Sequence, residues 1–277
     1  MNDEEFRLLD RIEDDHWWFV GKRLVLHAIA DRFARGGRIL DLGCGTGGIL
    51  SDWATESRCY GVDRSKLAIE ICRKRGLESV AQGDLMALPL APNRFDLVFA
   101  LDVIEHLDDD RAFLREARQL CAPGGRVIVA SPAFQVLWSK HDETFQHRRR
   151  YSAAQLESVL REAGLEPERT TFTNVAVFPV AALWRLVSSW TPLRHIAPKT
   201  DFWDVPNWLN RLLTTVYRLE ARMLARWNAP FGLSVVCVAR VPPVISGTEK
   251  VSSVGAARAQ FRSQSRKGRH QEATEDR

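Results

Sequence analysis

A short apolar run followed by closely spaced glycines most constrains the fold of this chain. Residues 38–42 have the pattern of a buried β-strand, and several glycines follow it directly: Gly43, Gly45, Gly47 and Gly48. Glycine adopts backbone conformations that other residues avoid, and it lets the main chain contact a ligand directly. We therefore predict a strand, a tight ligand-binding loop and a helix that begins near Gly48.

The glycine spacing alone leaves the ligand open. Gly43, Gly45 and Gly48 fit the G-x-G-x-x-G spacing of a dinucleotide site, and Asp63 at the end of the next strand could bind ribose hydroxyls in either case. Asp41 lies just before the glycines, where a carboxylate would repel a pyrophosphate but would suit an ammonium group. A short-chain dehydrogenase would also need a Tyr-x-x-x-Lys pair, and no tyrosine here has a lysine four positions on.

Three further elements follow the glycine loop in order. Asp84 comes after a short third strand, where its carboxylate could accept a hydrogen bond from an adenine amino group. Residues 95–107 and 123–127 read as a fourth strand with its following loop and as the turn into a fifth strand. Together with the glycine loop and Asp63, this order resembles the class I S-adenosylmethionine (SAM)-dependent methyltransferases over residues 36–175.

The resemblance implies SAM as the cofactor and assigns the residues that would hold it. The glycine loop would contact the methionine end, Asp63 the ribose, and Asp84 with Leu85 the adenine. The complete set of predicted cofactor residues is Asp41, Gly43, Cys44, Gly45, Gly47, Asp63, Arg64, Asp84, Leu85, Leu101 and Asp102.

Strand and helix signals alternate from residue 38 onward, which predicts an α/β fold. With the resemblance, we expect a Rossmann-like sheet of seven mostly parallel strands with helices on both faces. The expected strands are 38–42, 58–62, 78–82, 96–101, 126–131, 168–173 and 233–239. Around this domain (36–243) we expect an N-terminal helical lid (1–35), a helical insertion before the last strand (about 175–230) and a disordered tail (244–277).

The histidine-rich loop, residues 139–151, resembles an H-D-x-x-x-x-H-x-R-R-Y element of a bacterial subset of these enzymes that act on small molecules or lipids. We predict His141, oriented by Asp142, as a general base, with His106 as a second candidate. The residues expected to contact the acceptor here are His147, Arg148, Arg149 and Tyr151, since arginines could hold a phosphate or carboxylate.

Two alternatives remain for the histidine-rich loop. Its residues could bond to one another in a purely structural role, or His141, Asp142 and His147 could bind a metal. An adjacent His-Asp pair is a weak metal signature, so we predict no metal site.

Aromatic residues and one acidic residue on an apolar helix face extend the predicted acceptor site. Trp17 and Trp18 belong to a cluster that could cover the cofactor and the substrate mouth. The insertion contains a predicted amphipathic helix, residues 206–227, with arginines opposite one apolar face: Leu209, Leu212, Leu213, Val216, Leu219, Met223 and Trp227. We expect this face to pack on the core; the alternative is a lid on an anionic membrane or a lipid-linked acceptor. Glu220 falls within the apolar face, which makes it a further acceptor-site candidate.

Composition narrows the cellular setting. The net charge of the 277 residues is +4, which is weak support for nucleic-acid binding, so none is expected. The five cysteines contain no CxxC pair, as in proteins of a reducing compartment. Because no signal peptide or membrane-spanning run is evident, we predict a cytoplasmic protein with peripheral contact to the inner membrane face.

These observations lead to one functional prediction with two alternatives. We predict a SAM-dependent methyltransferase that acts on an oxygen of a small-molecule acceptor, which could be phosphorylated or lipid-linked. The first alternative is methylation of a lipid- or polyprenol-linked glycan at the membrane face. The second is a scaffold that kept the fold but lost the chemistry, which the intact Asp41, Asp63 and Asp84 argue against.

Overall fold

The computed structural model describes residues 3–189 and 205–243. The strands are β1 (Arg38–Leu42), β2 (Arg58–Asp63), β3 (Val80–Gln82), β4 (Phe95–Leu101), β5 (Cys121–Pro132), β6 (Glu166–Thr173) and β7 (Ser234–Arg240). The helices are α1 (Asp3–Ile12), α2 (Trp17–Ala34), α3 (Gly48–Trp53), α4 (Lys66–Lys74), α5 (Asp110–Leu120), α6 (Lys140–Thr144), α7 (Ala153–Glu162), α8 (Phe178–Ser189) and α9 (Asn207–Leu224). The predicted tail, with Trp190 and Trp203 of the insertion, lies outside the described residues.

The strands form one sheet in the order β3-β2-β1-β4-β5-β7-β6. β1 to β5 are parallel, while β7 pairs antiparallel with both β5 and β6. The prediction of a mostly parallel, seven-stranded sheet is confirmed. Because the strand order reverses between β1 and β4, a crevice is expected where these two strands end, and ligands bind there in open α/β sheets.

The core lies between the sheet and its helices. Leu40 of β1 and Phe99 of β4 are fully buried, as expected for strands covered on both faces. Phe113 of α5, Leu156 of α7 and Ile29 of α2 belong to the same buried cluster. This packing fixes the ends of β1, β2 and β4, where the predicted cofactor residues lie.

The N-terminal helix α2 packs against α9 of the insertion. A Cβ atom at Gly21 would lie 2.4 Å from the Tyr217 ring, so the glycine allows the close approach of the two helices. The backbone N–H of Trp17 donates to Asn210 Oδ1 at 2.8 Å, and the Trp17 and Tyr217 rings lie 5.7 Å apart. The N-terminal segment and the insertion therefore form one cover over the sheet.

The face of α9 that packs differs from the predicted one. Tyr217, Ala221 and Leu224 are buried, whereas Leu212 and Leu219 are 52% and 58% exposed. The difference arises from packing against α2. Because Gly21 has no side chain, the Tyr217 ring fits against α2, and the face of α9 that carries Tyr217 is buried. The expectation that the leucine-rich face covers the core was wrong. Within the described residues, no helix has the length and apolarity to cross a membrane.

Candidate functional site

The glycine loop runs from the end of β1 to the start of α3. Gly43 has a φ of 83°, and its N–H donates to the Val62 carbonyl at 2.8 Å. A Cβ atom at Gly43 would lie 2.6 Å from Cγ2 of Val103, which leaves no room for a side chain. Gly47 precedes α3 and also has a φ of 83°. Since no side chains stand at these positions, the main chain itself borders the crevice.

Asp63 ends β2 and ties the neighbouring loops together. One carboxylate oxygen accepts a hydrogen bond from the N–H of Gly45 at 3.0 Å, and the other accepts from the N–H of Ser65 at 2.8 Å. Each oxygen retains a further lone pair. The side chain thus holds the glycine loop and can still accept hydrogen bonds from ribose hydroxyls, the predicted role of Asp63.

Asp41 is a buried carboxylate, only 2% exposed, within β1. Its Oδ1 atom has no hydrogen-bond partner among residues 3–189 and 205–243. Burial raises the pKa of Asp41 to about 7, an effect that nearby Lys22 opposes and Asp63 strengthens. A buried carboxylate with an unpaired oxygen is an acceptor for a cation, and the ammonium group of SAM is a cation of suitable size. The residues present therefore fit the cofactor.

The other predicted cofactor residues lie along the same edge of the sheet. Arg64 follows β2, and after β3 Asp84 is exposed while Leu85 is buried. Cys44 is buried in the glycine loop, where a hydrogen bond with Cys72 and burial raise the pKa of its thiol far above the usual value. The Cys44 sulfur is consequently a packing group rather than a nucleophile.

A cavity adjoins the end of β4. Leu101 is the last residue of β4, and Asp102 follows it with a φ of 54°. The Lys22 ammonium of α2 lies 2.6 Å from Oδ2 of Asp102. The cavity beside this ion pair is lined by residues that include Trp18, Val25, Asn174 and Ser234. Sequence analysis missed Lys22, although Trp18, Lys22 and Val25 recur at helical spacing and so share one face of α2.

Asp142 contacts His147 of the same loop. Its carboxylate accepts from His147 Nδ1 at 2.9 Å, from Arg150 at 2.8 and 2.9 Å, and from the Ser139 N–H at 2.8 Å. Burial opposes ionisation of Asp142, but these hydrogen bonds outweigh it and lower the pKa. A capping box also turns Asp142 back toward the start of α6.

Three of the residues predicted to bind the acceptor, Arg148, Arg149 and Tyr151, contact acidic residues of the protein. Arg148 pairs with Asp108, and Arg149 lies 3.1 Å from Asp110. The buried Tyr151 donates to Asp110 at 2.6 Å. An anionic acceptor would have to compete with these carboxylates. The contacts of Arg149 and Tyr151 thus favour the structural alternative for this part of the loop.

His106 lies beside His147, with their ring centroids 4.8 Å apart. Burial and the neighbouring His147 lower the pKa of His106 to about 4. Asp102 and the Gln146 backbone act in the opposite direction, but they do not outweigh this effect on the pKa. His106 is therefore uncharged at neutral pH.

The remaining acceptor candidates divide between two positions. Trp18 lines the cavity, whereas Trp17 packs against α9 as described above. Glu220 is 5% exposed and accepts from the N–H groups of Val175 and Ala176 at 3.0 and 3.2 Å. The structure thus gives Glu220 a structural role at the entry to α8, and it places Trp18 in the cavity.

The fold and the site define an α/β protein that holds a nucleotide-type cofactor on a glycine loop at the carboxyl edge of its sheet. Residues 40–129 match the sequence profile of a family described as a methyltransferase domain. A ubiquinone biosynthesis O-methyltransferase of Bordetella pertussis is 30% identical over 172 residues, covering 54% of this chain and 70% of that protein.

Two further proteins are similar. A probable S-adenosylmethionine-dependent methyltransferase of Mycolicibacterium smegmatis is 31% identical, and the match covers 59% of this chain and 65% of that protein, less than two thirds of its length. A solved SAM-dependent methyltransferase of Thermotoga maritima shares the fold, with 20% identity, a TM-score of 0.53 and coverage of 85% of this chain and 99% of that one. The chain belongs to the class I SAM-dependent methyltransferases, whose cofactor is SAM.

Proposed function

We propose that this protein transfers the methyl group of SAM to an oxygen of a small-molecule acceptor bound in the cavity beside Asp102. The observation that carries the proposal is the position of this cavity at the end of β4, where Lys22 pairs with Asp102 and also lies near the buried Asp41. The similarity to a Bordetella O-methyltransferase supports oxygen as the acceptor atom. Polar and aromatic side chains together, Lys22, Asn174 and Trp18, suit a ring or chain that carries hydroxyl groups.

Methyl transfer from SAM requires the protein mainly to position the cofactor and the acceptor. SAM supplies a methyl group on a positively charged sulfur, and the acceptor supplies the electron pair that takes it. The residues of this chain must hold the two in line and accept or release one proton. Asp41 and Asp63 would bind the cofactor, while Lys22 and Trp18 of α2 would orient the acceptor.

The first test is isothermal titration of the purified protein with SAM and with S-adenosylhomocysteine, using NAD as the control. We expect micromolar binding of SAM that is lost in Asp63→Ala, because that variant lacks both the ribose acceptor and the bonds to the glycine loop. Circular dichroism checks that the variant is folded. Binding of NAD instead of SAM would refute the proposal.

To identify the acceptor, the protein is incubated with SAM that carries a ¹³C-methyl group. Mixtures of candidate hydroxylated compounds, including phosphorylated and lipid-linked ones, serve as acceptors. The chemical shift of the transferred methyl carbon distinguishes oxygen from nitrogen and carbon acceptors. Tight SAM binding without transfer to any class of acceptor would instead favour a scaffold that has lost its chemistry.

A second candidate function is methylation of a lipid- or polyprenol-linked glycan at a membrane surface. Exposed apolar side chains favour it: on α9, Trp208 and Leu219 are 68% and 58% exposed, and on α8, Val180 and Leu183 are 75% and 65% exposed. Exposed arginines of α9 lie beside its apolar residues: Arg211, Arg218 and Arg222. Apolar and cationic groups on one surface helix are typical of contact with anionic lipid.

Co-sedimentation with vesicles tests the membrane candidate. We expect binding to vesicles of anionic phospholipid that falls by at least about tenfold in the double variant Trp208→Ser, Leu219→Ser, because two apolar contacts are lost. Leu90→Ser, which removes an exposed leucine from the loop after β3, is the matched control. Equal sedimentation of both variants would argue against this surface.

A further inference from the structure

We propose that Glu105, His106 and His147 form a binding site for a divalent transition-metal ion of the Zn²⁺ class. One ligand atom from each residue lies within 4.8 Å of the other two. This set differs from the one considered in the sequence, His141, Asp142 and His147, because the fold brings a turn after β4 against the histidine-rich loop.

His147 is held in the way that metal-binding histidines usually are. His147 uses Nδ1 to contact the buried Asp142 carboxylate at 2.9 Å, so its Nε2 atom is available. The His106 ring lies against that of His147, with the centroids 4.8 Å apart, and one of its nitrogens belongs to the group of neighbouring ligand atoms. Metal-binding histidines commonly donate their second nitrogen to a carboxylate or a backbone carbonyl, and this fixes the tautomer and the ring orientation.

Glu105 supplies the second, independent observation. The residue is fully buried, and its Oε2 atom accepts from the Ser131 hydroxyl at 3.0 Å. Its Oε1 atom has no hydrogen-bond partner within the described ranges. An unpaired buried carboxylate oxygen is costly, and a cation bridging it to the two imidazoles would remove that cost.

The donor set selects the class of metal. Two imidazole nitrogens and one carboxylate oxygen suit Zn²⁺ and its neighbours, whereas Mg²⁺ and Ca²⁺ prefer oxygen ligands alone. Ligand atoms at about 2.1 Å from a tetrahedral ion lie about 3.4 Å from one another, so the three ligand atoms must approach one another by up to about 1.4 Å. Three protein ligands leave the fourth position open to water or to an acceptor.

The open coordination position suggests a role for the metal ion in the reaction. This role rests on the proposed methyl transfer to oxygen. The site is three residues beyond Asp102, which lines the acceptor cavity. An acceptor hydroxyl at the open position would release its proton to solvent more easily, as water on Zn²⁺ does. Its oxygen electron pair then forms the bond to the methyl carbon while the sulfur–carbon bond breaks, and the electron pair of that bond stays on the sulfur of S-adenosylhomocysteine.

The test is titration of the full, untagged chain with Co²⁺ after treatment with a chelator, since Co²⁺ in such sites has visible absorption bands. We expect one equivalent to bind, Zn²⁺ to displace it, and His106→Ala, His147→Ala and Glu105→Gln to weaken binding by more than about 100-fold. His27→Ala, a histidine of α2 that contacts Asp52, is the matched control and should bind Co²⁺ normally. Glu105→Gln retains the shape of the side chain, so its loss of binding would not reflect misfolding.

His141→Ala separates the two histidine sets. The proposal requires that this variant still bind Co²⁺; loss of binding there, with retention in His106→Ala, would overturn it in favour of the other set. Absence of Co²⁺ binding in the wild-type chain would also overturn it. Titration with SAM in the presence of a chelator tests cofactor binding separately from metal binding. SAM should still bind, because the cofactor residues do not include the three metal ligands.

Discussion

Replacing Asp41 by asparagine should stabilise the unliganded protein while weakening SAM binding. In the folded protein the carboxylate is 2% exposed and its pKa is raised from 3.8 to about 7, mainly by burial. The unfolded chain ionises Asp41 above pH 4, but the folded chain does so only near pH 7. The wild type therefore loses stability as the pH rises from 4 to 7, and the asparagine variant does not.

The size of the effect follows from the pKa difference. Each pH unit between the two pKa values corresponds to about 1.4 kcal/mol, so the free energy of unfolding of Asp41→Asn should exceed that of the wild type by about 4 kcal/mol at pH 8. Poor hydrogen bonding of the new amide could subtract about 1–3 kcal/mol, but that penalty is the same at every pH. The variant's advantage should therefore grow by about 3 kcal/mol between pH 5 and pH 8.

Urea unfolding of both proteins at pH 5 and pH 8 without SAM measures this difference. Asp31→Asn, which removes an exposed carboxylate that pairs with Arg35 on the surface, is the control and should differ little from the wild type at either pH. A variant whose advantage is independent of pH would refute the reasoning about Asp41. Titration with SAM at pH 8 should then show weaker binding to Asp41→Asn, because the ammonium group has lost its counter-charge.

Three other variants test neighbouring parts of the site. Lys22→Met removes the cation that opposes the raised pKa of Asp41, so the pH below which SAM binding weakens should move upward in a titration series. Gly47→Ala would place a Cβ atom 2.6 Å from a buried leucine at a φ of 83°, and urea unfolding should show a loss of about 2–4 kcal/mol. Asp142→Asn removes the carboxylate charge that pairs with the buried Arg150, which should cost about 3–5 kcal/mol in the same assay.

Much of the fold could be predicted because its signals are local. The apolar run of β1 and the glycines after it are adjacent in the sequence, and Asp63 and Asp84 follow the next strands at the expected spacing. Each of these features depends on backbone conformation or strand burial, which a short stretch determines. The sheet and the cofactor loop were therefore accessible before any three-dimensional information.

The contacts of the acceptor side depend on partners that are distant in the sequence. The contact between Asp142 and His147 depends on the turn of α6, which residue types and spacing alone did not predict. Likewise Lys22 reaches Asp102 across 80 positions, which no spacing rule reveals. The buried face of α9 was predicted from its leucines. The structure buries a different face, because the space beside Gly21 on α2 accepts the Tyr217 ring.

The cover over the sheet links the insertion to the acceptor cavity. Trp18 and Lys22 enter the cavity from α2, and α2 is held in place by α9, whose Tyr217 fills the gap at Gly21. Since α9 belongs to the insertion before β7, a change there can shift the acceptor cavity through α2 without contacting β1 or β2. The exposed apolar side of α9 lies on the same cover. Contact of that side with a lipid surface would therefore bear on the element that shapes the cavity, and it would leave the glycine loop and Asp63 untouched.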